Sequence, residues 1–426
     1  MLFYRLIRKY ENKIKDFIYV FIYEEPKQKI FLFSYFIIFL FLKIFRFFLS
    51  SKNNEKIKRY YLSFWRINLF RHPGPFFNFC SSTLRVCITY KCNISCPDCY
   101  AKNLDKEFPY DMSLDDFIYL LKWAKPKGWK GINFLGGEPT IHPKFAEILD
   151  ICKKENISVT LATNGLFDER ILKKLQAPLI RDIGVNYLPE SLPLNLKKQW
   201  FHNLEKLARE KFFLGISAEI DGKNDDWKKV VEIAERLKIH IRWSLLIPGC
   251  ARVISNELFF SNPKLFGIQL TEILKTCAEK DIICFIYRPL PLCMFSSEQL
   301  KQIRKFGRYI LFNRCMLGYR GDYTLTLTVN PDLSTYPCNS LFIKGPHINF
   351  FKDRRNINHY YEKIVKNIMT IPTAERCNNC RLFKNFLSII SNKNLVRKER
   401  LFDENVCQAG CLDFREYKKD KFSFCI

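Results

Sequence analysis

The feature that most constrains the fold of this chain is a regular alternation of short apolar segments with amphipathic segments between residues 84 and 247. The amphipathic segments repeat apolar residues at the 3.6-residue period of a helix, as in Asp225–Lys238. Six apolar runs predict β-strands: Leu84–Thr89, Gly131–Leu135, Ser158–Ala162, Asp182–Tyr187, Phe213–Ile220 and His240–Ile247. Repeated strand–helix–strand units predict parallel strands with right-handed crossovers. We therefore expect an α/β fold.

The architecture expected within this class is a partial (β/α)6 barrel of the TIM type. No glycine fingerprint of a dinucleotide-binding fold accompanies the strands, which favours a barrel over a Rossmann sheet. In such a barrel, functional groups gather at the carboxyl ends of the strands.

Three regions follow from the pattern of the whole chain. Residues 1–80 are basic and hydrophobic, residues 81–310 hold the strand–helix repeat, and residues 311–426 are rich in cysteine. The third region contains a hairpin signal, in which Tyr323–Val329 precedes a turn and Ser334–Pro337 returns. Its remainder lacks clear periodicity, and a segment of that kind usually needs metal to hold it together. Two helical periods lie between the last predicted strand and this hairpin, at Pro263–Glu279 and Glu298–Leu311.

The first region raises the question of a membrane. Its apolar core, Ile30–Leu42, is 13 residues long, shorter than the ~20 residues that span a bilayer. Residues 1–80 contain 15 of the 69 basic residues and 5 of the 43 acidic residues. A spanning helix, an in-plane anchor and a buried helix of a soluble domain all remain open. We expect a cytoplasmic protein, with residues 17–49 as the segment that would contact an anionic membrane surface.

The formal net charge of +26 calls for an anionic partner. The basic residues are spread along the chain, and no RNA-binding module is recognisable, so nucleic acid is not the expected partner. The abundance of aromatic residues excludes global disorder.

The chain has 17 cysteines and 6 histidines. In a reducing cytoplasm, cysteines in this number indicate metal binding rather than disulfides. Cys92, Cys96 and Cys99 follow the first predicted strand at spacings of three and two residues. Thiolates select zinc or iron–sulfur clusters, and a structural zinc site would want four ligands. Three ligands instead leave one iron of a cluster open.

A second motif ends the next strand, where Gly136-Gly137-Glu138-Pro139 follows Leu135. Two glycines allow the backbone to approach a ligand closely, and Glu138 offers an acceptor to an ammonium group.

The two motifs, in this order and each at a strand end, resemble those of radical S-adenosylmethionine (SAM) enzymes. The resemblance implies that Cys92, Cys96 and Cys99 hold a [4Fe–4S] cluster whose open iron binds SAM, and that residues 136–139 bind the methionyl amine. Cleavage of SAM would give a 5′-deoxyadenosyl radical that abstracts hydrogen from the substrate. One departure is Asp98, where the family usually has an aromatic residue. Further expected cofactor contacts are Tyr100, which would replace that aromatic residue, Asn164, Asn186 and Ser217.

Seven cysteines of the third region resemble the SPASM extension of peptide-modifying radical SAM enzymes, which holds two auxiliary [4Fe–4S] clusters. By that resemblance, Cys315, Cys338 and Cys411 serve one cluster, and the other is held by Cys377, Cys380, Cys407 and Cys425. The departures are a gap of 26 residues between Cys380 and Cys407 and a leucine, Leu333, at the usual glycine of the hairpin. The first cluster lacks an obvious fourth ligand, so it is either open or uses a residue such as Cys293. A single auxiliary cluster, or zinc, remains open.

The leading hypothesis is a radical SAM oxidoreductase that modifies a peptide or protein and receives electrons from a reduced flavodoxin- or ferredoxin-type donor. Sulfatase-maturing relatives have an aspartate after the second hairpin cysteine, whereas Asn339 follows Cys338 here and cannot act as a base. This substitution makes a sulfatase-maturing enzyme a less favoured hypothesis. Two alternatives are an enzyme acting on a membrane lipid or lipid-linked intermediate and, in another class, a non-catalytic membrane-associated iron–sulfur electron carrier. The remaining cysteines, Cys80, Cys87, Cys152, Cys250, Cys277 and Cys284, are expected to be buried apolar residues.

Overall fold

In the computed structural model, everything described below belongs to the compact unit of residues 63–426. The structure describes residues 83–96, 99, 101, 104–188, 192–210, 212–223, 225–245, 262–286, 289–305, 327–338, 343–372, 375–391 and 407. The segment 17–49, predicted to contact a membrane, lies outside these residues.

The six predicted strands form a continuous parallel array, in which each strand pairs with the next along the chain. Their bounds are β1 Thr83–Cys87, β2 Gly131–Leu135, β3 Ser158–Thr163, β4 Ile180–Asn186, β5 Phe213–Ile220 and β6 His240–Leu245. The expected α/β fold with a partial barrel is thus confirmed. The structure adds a seventh parallel strand, β7 Cys284–Ile286, beside β6, which is too short to stand out in the sequence.

Helices connect the strands near the positions that the periodicity predicted. They are α1 Leu104–Glu107, α2 Leu114–Ala124, α3 Phe145–Lys154, α4 Glu169–Lys174, α5 Leu194–Ala208, α6 Trp227–Leu237, α7 Pro263–Glu279 and α8 Ser297–Lys305. Side-chain caps set two of the starts: the Ser113 hydroxyl accepts a hydrogen bond from the Asp116 backbone N–H, and Asp168 accepts one from Ile171.

The two faces of the parallel sheet differ in chemistry. On the face covered by helices, Phe134 of β2 is fully buried and packs against Phe117 of α2 and Phe145 of α3, at ring-centroid distances of 6.0 and 5.6 Å. Each such burial contributes about 1.5–3 kcal/mol. Side chains alternate along a strand, so the other face carries Thr160, Asp182 and Arg242, all partly exposed. This polar face lines the interior of the barrel.

The hairpin predicted in the cysteine-rich region is present. Strand β8 Thr328–Val329 pairs antiparallel with β9 Ser334–Tyr336, and β10 Gly345–His347 pairs with β9. Strand β8 also pairs parallel with β1. The hairpin therefore extends the barrel sheet, giving the order β10-β9-β8-β1-β2-β3-β4-β5-β6-β7.

The remainder of this region is more regular than its sequence indicates. Three helices follow the hairpin: α9 Arg354–Thr370, α10 Glu375–Asn378 and α11 Arg381–Ser391. Tyr361 of α9 is fully buried, and its hydroxyl lies 2.7 Å from the Thr335 hydroxyl of β9. Many polar residues in α9 obscure its apolar face, and packing against the hairpin compensates for that weak pattern.

Within the described residues, none of the helices combines the length and the hydropathy needed to cross a bilayer.

Candidate active site

The three clustered cysteines lie in the loop that leaves the carboxyl end of β1. All three are thiols; Cys92 is exposed, and Cys96 and Cys99 are partly exposed. The Cys99 N–H donates a hydrogen bond to the Cys96 carbonyl at 3.4 Å, which forms a turn between these two residues. The loop thus presents three accessible thiols at the mouth of the barrel, where the sequence predicted them.

The Gly136-Gly137-Glu138 loop after β2 is fastened to the cysteine loop by its backbone. The Gly137 N–H donates to the Thr89 carbonyl at 3.0 Å, and the Glu138 N–H donates to the Lys91 carbonyl at 2.9 Å. A Cβ on Gly137 would lie 2.0 Å from the Lys91 oxygen, and one on Gly136, whose φ is +124°, would lie 2.2 Å from the Thr89 oxygen. The close approach that these glycines permit is therefore to the cysteine loop itself.

Glu138 is the polar centre of the site and is 1% exposed. Its Oε1 accepts hydrogen bonds from the Thr140 N–H (3.1 Å), the Thr140 hydroxyl (2.7 Å) and the Thr163 hydroxyl (2.8 Å). Its Oε2 accepts one from the Asn164 N–H at 2.6 Å. Burial raises the pKa of Glu138, while these hydrogen bonds oppose the rise. Both carboxylate oxygens thus accept hydrogen bonds from the protein itself. The role predicted for Glu138 as an acceptor for the methionyl amine stays a prediction.

Asn164 joins the third strand to the cysteine loop. Its side-chain amide donates to Asn93 Oδ1 at 2.6 Å and lies 3.8 Å from Cys92 Sγ. Asn93 in turn donates to the Leu166 carbonyl at 2.8 Å. Sequence reasoning selected Asn164 but missed Asn93 and Thr140, whose roles depend on contacts between separate loops.

Asn186 and Ser217, two further predicted cofactor contacts, are brought together. They are partners in the register of β4 and β5 and lie on the polar face of the sheet; Asn186 is exposed. Tyr100 lies outside the described residues. Pro139 is buried and begins the 3₁₀ turn that follows Glu138.

An ion pair that the sequence did not single out stands inside the barrel. The Arg242 guanidinium contacts both carboxylate oxygens of Asp182, and Arg242 Nε lies 3.2 Å from His240 Nε2. The side chains of Arg242 and Asp182 are 16% and 23% exposed, so the pair is only partly screened by solvent. It gives the barrel interior a fixed polar centre.

The predicted auxiliary ligands are only partly described. Cys338 follows β9 and lies 4.0 Å from the Arg85 guanidinium on the polar face of β1. Cys377 and Cys407 are buried, and Cys380 is partly exposed. Cys315, Cys411 and Cys425 lie outside the described residues. Four cysteines expected to be buried, Cys87, Cys152, Cys277 and Cys284, are buried, and burial raises the pKa of Cys87 and Cys152 to about 12.

Comparison with known proteins agrees with this site. Residues 86–249, which include the cysteine loop, the glycine motif and strands β2 to β6, match the radical SAM superfamily. This stretch of the chain is a radical SAM domain. Radical SAM proteins are enzymes that use a [4Fe–4S] cluster and SAM, and three thiols on one loop are the donor set that such a cluster needs.

Two relatives show how far the likeness extends. A tungsten-containing aldehyde ferredoxin oxidoreductase cofactor-modifying protein of Pyrococcus furiosus is 37% identical over 270 residues, 63% of each chain. A probable GTP 3′,8-cyclase of Methanocaldococcus jannaschii is 30% identical over 141 residues, which cover 33% of this chain and 45% of the relative. The chain thus spans less than two thirds of the length of either relative.

Among solved structures, anSMEcpe is similar in fold. Its form with bound S-adenosylmethionine has a TM-score of 0.53 at 17% identity, over 77% of this chain and 85% of that one. Its form with S-adenosylmethionine and the Kp18Cys peptide has a TM-score of 0.52 at 16% identity, over 77% and 88%. This likeness extends the shared fold beyond the radical SAM domain.

Proposed function

We propose that this radical SAM enzyme abstracts hydrogen from a peptide or protein substrate held inside the barrel. The observation that carries the proposal is the polar interior next to the cysteine loop. Asp182 and Arg242 form a fixed ion pair there, and Asn186 and Ser217 stand on neighbouring strands. An electron carrier needs no such interior, whereas a substrate with amide and carboxyl groups finds both donors and acceptors in it.

The proposed division of labour follows from the contacts. Cys92, Cys96 and Cys99 would hold the cluster, which together with SAM supplies the 5′-deoxyadenosyl radical. Glu138 holds the loop after β2 against the end of β3 through Thr163 and Asn164. Asn164 orients Cys92 and Asn93. These contacts would preorganise the SAM site with little rearrangement on binding.

A fold neighbour supports the choice of a peptide. The anSMEcpe structure contains a bound peptide, and the hairpin of the present chain continues the barrel sheet at β1. Cys338, at the end of that hairpin, lies beside Arg85 of the barrel interior. We therefore also propose that the cysteine-rich region is a SPASM-like domain whose auxiliary clusters pass electrons or contact the substrate. Residues 81–310 and 311–426 are the proposed boundaries of the two domains.

The test of the function is isotope transfer. Full-length enzyme, SAM and dithionite are incubated with a fully deuterated peptide fraction or lipid fraction from the source cells, and deuterium in 5′-deoxyadenosine is measured. The proposal predicts deuterium from the peptide fraction, and none with the Cys96→Ala variant. Deuterium from the lipid fraction alone would support the lipid alternative, and unlabelled product from both fractions would overturn the peptide proposal.

Two partners belong to the same proposal. A reduced flavodoxin- or ferredoxin-type protein would supply the electron in the cell, replacing dithionite in the assay. Residues 17–49 would bring the enzyme to an anionic membrane surface, because basic residues flank their apolar core. Deleting residues 1–50 should release the protein from vesicles that contain anionic lipid, and undiminished sedimentation with the vesicles would exclude this anchor.

A further inference from the structure

Cys293 has no place in the SPASM-like pattern of seven cysteines. It lies on the short 3₁₀ turn Leu292–Met294, before α8, and its thiol is exposed. From the sequence alone, Cys293 is a candidate fourth ligand of the first auxiliary cluster, that of Cys315, Cys338 and Cys411. The structure places it beside a different set of cysteines.

Three cysteines of the second set are gathered at the start of α11. The Cys380 N–H donates to the Cys377 carbonyl at 3.1 Å, which forms a turn just before this helix. The Cys407 N–H donates to the carbonyl of Leu382, in the first turn of α11, at 3.1 Å. Although 26 residues separate Cys380 from Cys407, both cysteines lie at the same end of α11.

The turn that carries Cys293 contacts this group directly. The backbone N–H of Leu292 donates to Cys407 Sγ at 3.3 Å, and the interaction is buried. Backbone N–H groups directed at a cysteine sulfur stabilise the thiolate and tune iron–sulfur clusters. The Cys293 thiol also lies close enough to Cys377, Cys380 and Arg376 to interact with them electrostatically.

We propose that Cys293, Cys377, Cys380 and Cys407 together form one four-thiolate [4Fe–4S] site. Cys293 takes the position that the SPASM-like pattern gives to Cys425. The inference rests on the auxiliary-cluster part of the proposed function and names the ligands of that cluster.

The proposed site differs from a site for a single metal ion. Among the described residues, no three His, Cys, Asp or Glu side chains are close enough together to hold a single metal ion. The thiolates of a cubane each bind a different iron atom, so they need not converge on one point. Arg376, next to Cys377, adds a positive charge that offsets the negative charge of the thiolates.

The test counts iron and does not depend on activity. In full-length protein with Cys92, Cys96 and Cys99 all changed to Ala, anaerobic reconstitution with iron and sulfide should load two auxiliary clusters, about 8 irons. Adding Cys293→Ala leaves that cluster three thiolates and one open iron, so it should lose iron and shift its reduced electron paramagnetic resonance signal, whereas adding Cys425→Ala should leave about 8 irons and an unchanged signal. Cys152→Ala, a buried cysteine on α3, is the matched control and should also leave the count unchanged.

A spectroscopic measurement distinguishes the loss of a cluster ligand from misfolding of the variant. Cys293→Ser keeps an oxygen ligand, so the dithionite-reduced protein should retain its second auxiliary electron paramagnetic resonance signal with shifted g-values. Unchanged iron and spectra in both Cys293 variants, together with iron loss in Cys425→Ala, would overturn the proposal. Zinc in place of iron, or no auxiliary iron in the parent protein, would overturn it as well. Failure of the peptide proposal is separate, since it appears only as missing deuterium transfer.

Discussion

The backbone N–H of Asn164 donates a 2.6 Å hydrogen bond to Oε2 of the buried Glu138 carboxylate. This bond joins the end of β3 to the loop that follows β2. The same loop is tied by its backbone to residues 89–91, directly before Cys92. The loop after β2 thus joins three strand ends: the Glu138 carboxylate contacts the end of β3, and the backbone of residues 137 and 138 contacts the segment after β1.

Glu138→Gln should destabilise the protein. An amide presents an N–H₂ group to a site in which Thr140, Thr163 and Asn164 all donate, so at least one donor loses its acceptor. We expect a loss of about 1–3 kcal/mol in the free energy of unfolding, measured by urea titration of the cluster-free protein at pH 7.5. Glu147→Gln, at an exposed position on α3, is the control, expected within about 0.5 kcal/mol of wild type. Equal stability of the two variants would mean that the Glu138 carboxylate is not held by these donors.

Gly137→Ala should prevent the SAM cluster from assembling. The added Cβ would lie 2.0 Å from the Lys91 carbonyl oxygen and 2.5 Å from that of Tyr90, so the cysteine loop would have to move. The reconstituted variant should lack about 4 irons relative to wild type. Gly128→Ala serves as the control, because a Cβ there meets nothing within 4 Å although φ is +85°. It should cost about 1–2 kcal/mol of stability and no iron. Full iron loading of Gly137→Ala would contradict the tight contact.

His142 should make stability depend on pH below neutrality. The buried ring accepts a hydrogen bond from the Lys144 N–H at Nδ1 (3.1 Å), and its Nε2 lies 3.0 Å from the Met112 carbonyl. This arrangement requires the neutral imidazole, and burial lowers the pKa of His142.

The sign of the effect follows from that shift. The unfolded chain binds the proton first, near pH 6.5, so stability is full above that pH and falls as the pH drops toward the lower folded pKa. Urea titrations between pH 7.5 and 5.5 should show a shallower decline for His142→Gln than for wild type. His202→Gln, at an exposed position, should retain the wild-type slope. The same slope in both variants would rule out His142 as the source.

The Asp182–Arg242 pair should be coupled more strongly than a surface ion pair. Its side chains are 16–23% exposed, whereas Lys174 and Asp150 are 38% and 58% exposed. A double-mutant cycle with Asp182→Asn and Arg242→Gln should give a coupling free energy above about 1 kcal/mol. The matching cycle with Lys174→Gln and Asp150→Asn should give less than about 1 kcal/mol. The reverse order would show that water screens the barrel interior as fully as the surface.

Leu333→Gly should destabilise the hairpin although it restores the family's usual glycine. Leu333 has φ +61°, which costs about 1–2 kcal/mol for a residue with a side chain. Its side chain is only 4% exposed, and removing a buried leucine costs about 2–5 kcal/mol. The loss of the buried side chain therefore outweighs the relief of backbone strain, and the midpoint temperature of thermal unfolding should fall. Lys238→Gly is the contrasting case.

Lys238 ends α6 with φ +57° and is exposed. It has the same backbone strain without the burial, so its replacement by glycine should raise stability by about 1 kcal/mol. A stabilising Leu333→Gly would show that its side chain contributes little to the core.

Much of the fold could be predicted because local patterns specified it. The six strands and the helices between them follow from apolar runs and helical periods, as at Trp227–Leu237. Strand β7 and helices α9 and α11 could not be predicted in this way. A strand of three residues leaves no periodic signal, and α9 depends on packing such as that of Tyr361 against Thr335.

The sequence by itself determined the chemistry proposed for the site, because the spacing of Cys92, Cys96 and Cys99 and the motif at residues 136–139 predict a cluster loop and its companion within short stretches of chain. Only the tertiary structure decided how those stretches meet. It turned the two glycines toward the backbone of residues 89–91 and enclosed Glu138 among donors from two loops. It also placed the turn that carries Cys293 in contact with Cys407, which lies 114 positions further along the chain. Contacts of that kind form when buried groups from distant segments must satisfy one another, and no local pattern encodes them.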